Sequence, residues 1–119
     1  MADLNRCTFS GRVTRDPELR VTPTDRKVLA IGLAVNDAAQ DPQSGEWGER
    51  PNYLDVIVFG SRAEGLAKVL SKGRLVVVDA KAHWSSWERD GQKRSKVEFW
   101  ADDVQLIGPK PKVADDSQQ

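Results

Sequence analysis

The segment Asn52–Glu64, N-Y-L-D-V-I-V-F-G-S-R-A-E, constrains the fold more than any other part of the chain. Side chains of a strand alternate between two faces, so Leu54, Val56 and Val58 point one way and Tyr53, Asp55, Ile57 and Phe59 the other. The first set is core. The second carries a carboxylate between two aromatics, which suits neither a sealed interior nor an ordinary wet surface. It suits a flat, unsaturated ring that stacks from outside. Ser61 and Glu64 then have the spacing of a capping box, with Leu66, Ala67 and Leu70 at helical intervals behind them. The strand is therefore expected to turn into a short helix, closed by Gly73.

The neighbouring segments supply partners for that strand. Leu4–Val13 alternates Cys7, Phe9, Gly11 and Val13 against Thr8, Ser10 and Arg12, and Asp16-Pro17 breaks it, with Leu19–Val21 read as its continuation past a bend. Lys27–Val35 sets large Leu29, Ile31, Leu33 and Val35 against small Val28, Ala30, Gly32 and Ala34, which leaves room for a close approach to the backbone. Asn36–Pro51 is polar, contains Pro42, Gly45 and Gly48, and reads as a long mobile loop with Trp47 at its tip. Leu75–Ala82 is a Val-rich strand, and Asp90-Gly91 is a hairpin signal leading into Lys93–Trp100. Pro109 onward lacks large apolar residues and reads as a disordered tail, residues 109–119, behind a single domain of residues 1–108.

Three strands, a helix and two strands is the order of an all-β, five-stranded OB-fold, a Greek-key barrel with one short helix between strands 3 and 4. Such barrels bind oligonucleotides on the face of strands 2 and 3 and in the adjoining loops. Long loops at Asn36 and Trp84 are expected to flank that face.

Composition narrows the chemistry. Lys and Arg number 18 against 18 Asp and Glu, so no global basic field announces a polyanionic partner. Local clusters carry that role instead, with Arg6, Arg12, Arg15 and Arg20 near the first strand and Arg89, Lys93, Arg94 and Lys96 in the last hairpin. A solvated strand edge would account for the same clusters. One His and one Cys, His83 and Cys7, supply no Cys/His metal cluster, and no Gly-rich phosphate loop stands out. Neither a metal, a cofactor nor an enzyme activity is expected. The longest aliphatic run, Leu75–Val78, is too short for a bilayer, and the first nine residues lack an apolar signal core, which points to the cytoplasm. Trp84 and Trp87 bracket Ser85-Ser86; three positions apart, they share a face only across a bulge. His83 reads as a surface residue, with nucleic-acid contact as the lesser alternative, and Trp100 as structural.

In these residues the chain resembles the bacterial single-stranded DNA-binding protein family over about residues 4–108. The likeness is carried by G-R-V-T-R-D-P-E-L-R at Gly11–Arg20, L-A-V-N at Leu33–Asn36, Y-L-D-V-I-V-F-G-S-R-A-E at Tyr53–Glu64, K-G at Lys72-Gly73 and W-E-R-D-G-Q-K-R at Trp87–Arg94. The resemblance implies sequence-nonspecific binding of single-stranded DNA in replication, recombination and repair. It also implies a homo-oligomer, usually a tetramer with a dimer as the other option. Its stacking aromatics match Tyr53, Phe59 and Trp87, with Trp84 an extra ring, and its basic positions match Lys72 and Arg94, with Arg12 as a further phosphate contact. The chain departs from the family where Asp37–Gln40 lacks an aromatic, where Ser85-Ser86 replace a basic segment, where Ala80 stands for Gly, and at a C-terminus without an acidic, Phe-closed tip. Recruitment of other replication proteins is accordingly not expected; a shortened tail and a phage-borne or paralogous member both fit. Two other functions suit the same residues: an OB-fold assembly or adaptor protein with weak DNA affinity, and RNA binding.

Overall fold

The structure, a computed structural model, describes residues 2–109. The expected tail beyond Pro109 lies outside the described residues. Strands run over Cys7–Val13 (β1), Glu18–Val21 (β2), Lys27–Gln40 (β3), Trp47–Phe59 (β4), Leu75–Arg89 (β5) and Gln92–Ile107 (β6), with one helix, Ser61–Val69 (α1), between β4 and β5. The neighbour order is β1-β5-β6-β4-β3-β2, and an extra pairing of Arg12 and Val13 with Ala34 and Leu33 joins β1 to β3. Strands β1, β3, β4, β5 and β6 thus close a five-stranded barrel, as the strand order predicts.

Alternation builds its core. Val13, Leu29, Ile31, Leu33, Val56, Val58, Val76 and Val78 are all at most 2% exposed and come from four of the barrel strands. Leu54 is half-buried, and Ile57, on the opposite face of β4, is buried too. Helix α1 plugs one end by adding Ala63 and Leu70 to the same cluster. At Gly11 the closing contact is so tight that a methyl group would collide with the Ala34 carbonyl.

Several local expectations are corrected. The first strand begins at Cys7, not Leu4. Glu18–Val21 is not its continuation; it folds back on β3, from Glu18 opposite Ala30 to Val21 opposite Lys27. Asn36–Pro51 is no long loop, because β3 and β4 stay paired out to Gln40 opposite Trp47 and leave a short tip between them. Backbone hydrogen bonding extends this ladder through residues whose polarity alone suggests a loop. Trp84 likewise lies within β5 rather than in a flanking loop. The Asp90-Gly91 hairpin holds, with φ of 53° and 77°, the left-handed values of a primed turn.

The capping box does not form. Gly60, at φ 82°, is the N-cap, with no side-chain cap bond, and Leu70 ends the helix before Gly73. Glu64 instead binds Lys27 Nζ on β3, while Arg62 Nη2 meets Asp103 Oδ1 at 2.8 Å, so the helix is tied to two strands. The Lys27 ammonium, through its hydrogen bond and then its charge, lowers the Glu64 carboxyl below its ordinary 4.5. A carboxylate with a depressed pKa stabilises the fold above its unfolded pKa, and that stabilisation is lost as pH falls through the folded value.

Glu64→Gln should therefore lower the urea midpoint at neutral pH, and the gap to the parent chain should close as the pH is taken below 4.5. Gly11→Ala should cost about 1–3 kcal/mol in the same assay, the usual cost of overpacking a closed core.

Candidate nucleic-acid interface

The outer face of the barrel is set by register. Along β3 and β4 the outward pairs are Val28 with Phe59, Ala30 with Ile57, Gly32 with Asp55, and Ala34 with Tyr53. Small residues on β3 therefore lie beside large ones on β4. Tyr53 is 75% exposed, and Phe59 is half-buried about 20 Å further along, six residues at strand rise. Ala34 also pairs with Arg12 of β1, so Arg12, Ala34 and Tyr53 form one row across three strands. Arg12 Nη1 donates to the Gly73 carbonyl at 3.0 Å, which places Lys72 in the turn beside it; the Lys72 amide is held by Asp16 Oδ1 at 2.9 Å.

From Phe59 the face continues onto β6 and β5. Strands β4 and β6 run parallel there, with Ile57 beside Trp100. Trp100 meets Phe59 edge-on, centroids 4.9 Å apart, and stacks on His83 of β5 at 3.6 Å. His83 shares its face with Ser85 and Trp87, and their partners across the hairpin are Glu98, Lys96 and Arg94. Lys96 Nζ lies 5.7 Å from the Trp87 ring centroid and also pairs with Glu98 at 3.0 Å. Phe59, Trp100 and His83 are in ring contact, and Tyr53 and Trp87 lie on the same face to either side of them.

The only register shift of the β5–β6 ladder falls at Asp79/Ala80, not between the two tryptophans. Trp84 consequently faces the opposite side, paired with Val97, and both are exposed, at 61% and 50%. Of the seven residues singled out from sequence, Tyr53, Phe59, Trp87, Arg12 and Arg94 share the outer face, Lys72 borders it, and Trp84 stands apart. Trp47 is on the outward side of β4 as well, 69% exposed, at the foot of the hairpin tip. Asp41, Glu46 and Glu49, with Arg50, line the hollow around it, so its lining carries more acid than base.

Sequence reasoning missed four participants. Trp100 and His83 join the aromatic path although neither was assigned to it. Arg26 lies over the Phe59 ring, 4.2 Å from its guanidinium carbon to the centroid. Arg15 covers Gly32, where a methyl group would strike its guanidinium and the Thr14 hydroxyl. The gap that the small β3 residues predict is real, but at Gly32 the chain's own side chains enter it. A signal for Arg15 was present in that lone glycine among larger outward residues.

Comparison with known proteins agrees with this geometry. The profile of the single-strand binding protein family matches residues 4–107. A single-stranded DNA-binding protein of Borreliella burgdorferi is 40% identical over 109 residues, covering 90% of this chain and 72% of that protein. One from Treponema pallidum is 37% identical over 108 residues and 91% of this chain, which spans only 60% of that relative's length. Among solved structures, the wild-type single-stranded DNA binding protein from Thermus aquaticus superposes with a TM-score of 0.76 at 34% identity, over 90% of this chain and 52% of that one. A Plasmodium falciparum SSB in complex with ssDNA gives 0.78 at 23% identity, over 91% of this chain and 98% of that one, a likeness of fold. The chain belongs to the single-strand binding protein family.

Proposed function

We propose that this chain binds single-stranded DNA without regard to sequence, stacking bases on Tyr53, Phe59 and Trp87 and holding phosphates with Arg12, Lys72 and Arg94. The observation that carries this is the outer face itself. One side of β4 and its neighbours is sealed, while the other presents aromatic rings along one face, with cations beside them. Every base has a flat face, so such a line is indifferent to sequence, and each stack contributes about 1–3 kcal/mol. Protection of exposed strands in replication, recombination and repair follows from that property. The activity is binding rather than catalysis, and a homotetramer in the cytoplasm is part of the same proposal.

Titration with oligo(dT) should quench tryptophan emission; a flat signal at low salt would refute the proposal. Trp87→Ala and Tyr53→Ala should each weaken binding by about 5- to 150-fold, the equivalent of one lost stack. Trp84→Ala, on the opposite side, should leave the affinity within about twofold, since side chains away from the contact seldom matter. Equal losses from Trp84→Ala and Trp87→Ala would mean that the strand wraps both sides of the hairpin.

A second reading, an assembly or adaptor role, is favoured by the exposed Trp84–Val97 pair on that opposite side. Light scattering with and without DNA separates the two: loss of the oligomer in Trp84→Ala with binding intact would assign that pair to subunit contact. Competition between oligo(dT) and oligo(U) decides between DNA and RNA.

A further inference from the structure

Some cations on this surface are already neutralised by acids. Among the described residues five ion pairs form: Arg6 with Asp79, Arg20 with Glu18, Lys27 with Glu64, Arg62 with Asp103, and Lys96 with Glu98. Arg15 and Arg26 enter none of them, and neither guanidinium makes a hydrogen bond among the described residues; Arg26 is held through its backbone, its amide donating to Thr22 Oγ1 at 3.0 Å and its carbonyl accepting from the Thr22 amide at 2.8 Å. Both residues are exposed. Each instead lies against an uncharged part of the outer face, the Arg26 guanidinium carbon 4.2 Å from the Phe59 ring centroid and the Arg15 guanidinium where a side chain at Gly32 would stand.

These positions are not neutral with respect to a bound strand. Val28, Ala30 and Gly32 are successive outward positions of β3, so the two arginines sit at either end of the short stretch that faces Phe59, Ile57 and Asp55. Phe59 packs T-shaped against Trp100 and has Arg26 over one face. A base cannot stack on that face while the guanidinium occupies it. A cation over a half-buried ring is held by about 0.5–2 kcal/mol, against about 1–3 kcal/mol for a base stack. The exchange therefore runs toward the base, and it releases a planar, permanently charged donor set beside a phosphodiester backbone.

From this we infer that Arg15 and Arg26 are phosphate contacts of the bound single strand, and that Arg26 doubles as a lid on Phe59 which the incoming base displaces. The inference rests on the proposed single-stranded DNA binding and adds two residues that the family likeness does not supply. Gly32 has a matching role: its missing side chain leaves the space that the Arg15 guanidinium occupies.

The test is a salt series of oligo(dT) titrations on the full chain, read by tryptophan quenching, for the parent, Arg15→Gln, Arg26→Gln, the double variant and Arg20→Gln. All three positions are exposed, and Arg20, paired with Glu18 at 2.7 Å, is the control. Each phosphate contact contributes about 0.7 to the slope of log affinity against log salt for a single strand. Arg15→Gln and Arg26→Gln should each lower the slope by about that much, the double variant by about twice as much, and Arg20→Gln not at all. Arg26→Gln should also bind as well as the parent or better at the high-salt end, where the phosphate attraction is screened and Phe59 stands uncovered. Slopes equal to the parent's, or an equal drop in Arg20→Gln, would overturn the assignment. A lowered slope with weaker binding at every salt would overturn the lid. A parent chain that does not bind oligo(dT) would refute the underlying function instead.

Discussion

The register of β3 against β4 is the constraint on which the rest of the molecule depends. It holds from Val28 opposite Phe59 to Gln40 opposite Trp47. Within it Leu29, Ile31 and Leu33 meet Val58, Val56 and Leu54 inside the barrel, and the small β3 residues meet the aromatic β4 face outside. Because strand periodicity is two, a slip of one residue would exchange the faces, exposing three large aliphatics and burying Asp55. The hydrophobic cost of that exchange fixes the pairing, and the pairing places Tyr53 and Phe59 on the outside. Core formation and site formation are one event here.

The same register explains how an electrically neutral chain can present a surface suited to a polyanion. Acids are spent locally: Glu18, Glu64, Asp79, Glu98 and Asp103 each hold a cation within the fold. Outside those pairs, among the described residues, cations around the aromatic line include Arg12 on a backbone carbonyl, Arg15 over Gly32, Arg26 over Phe59, Lys72 in the bordering turn, Lys81 opposite Trp100, and Arg94 with the Gln92 amide. Exposed ion pairs contribute little to stability. Their larger consequence is to decide which cations remain available, and a net charge cannot report that.

Much of the fold was legible in the sequence for a simple reason. Alternation of large aliphatics over β3, β4 and β5 is a direct imprint of burial, and Asp90-Gly91 is a direct imprint of a turn that needs positive φ at both positions. Where the imprint failed, a longer-range interaction had overridden a local preference. The polar stretch after Val35 is strand because β4 returns along it. Ser61 does not cap α1 because Gly60 takes the N-cap, and Glu64 is drawn to Lys27 across the barrel end.

Trp100 marks the boundary between the two kinds of information. Counting back by twos from buried Val104 would send Trp100 into the core, but Asp79 pairs with Asp103 and Ala80 with Ala101, which leaves Asp102 as an extra residue. That bulge turns Phe99 inward against Phe9 and Trp100 outward against Phe59 and His83. The sequence by itself determined the barrel, its core faces, the outward placement of Tyr53 and Phe59, and the family motifs, because each is written in spacing along a single strand. Only the tertiary structure decided that His83 and Trp100 bridge Phe59 to Trp87, that Trp84 turns away, and that Arg15 and Arg26 rest unpaired on the face. Each of those depends on which strands become neighbours and where their registers shift, and no one strand carries that information.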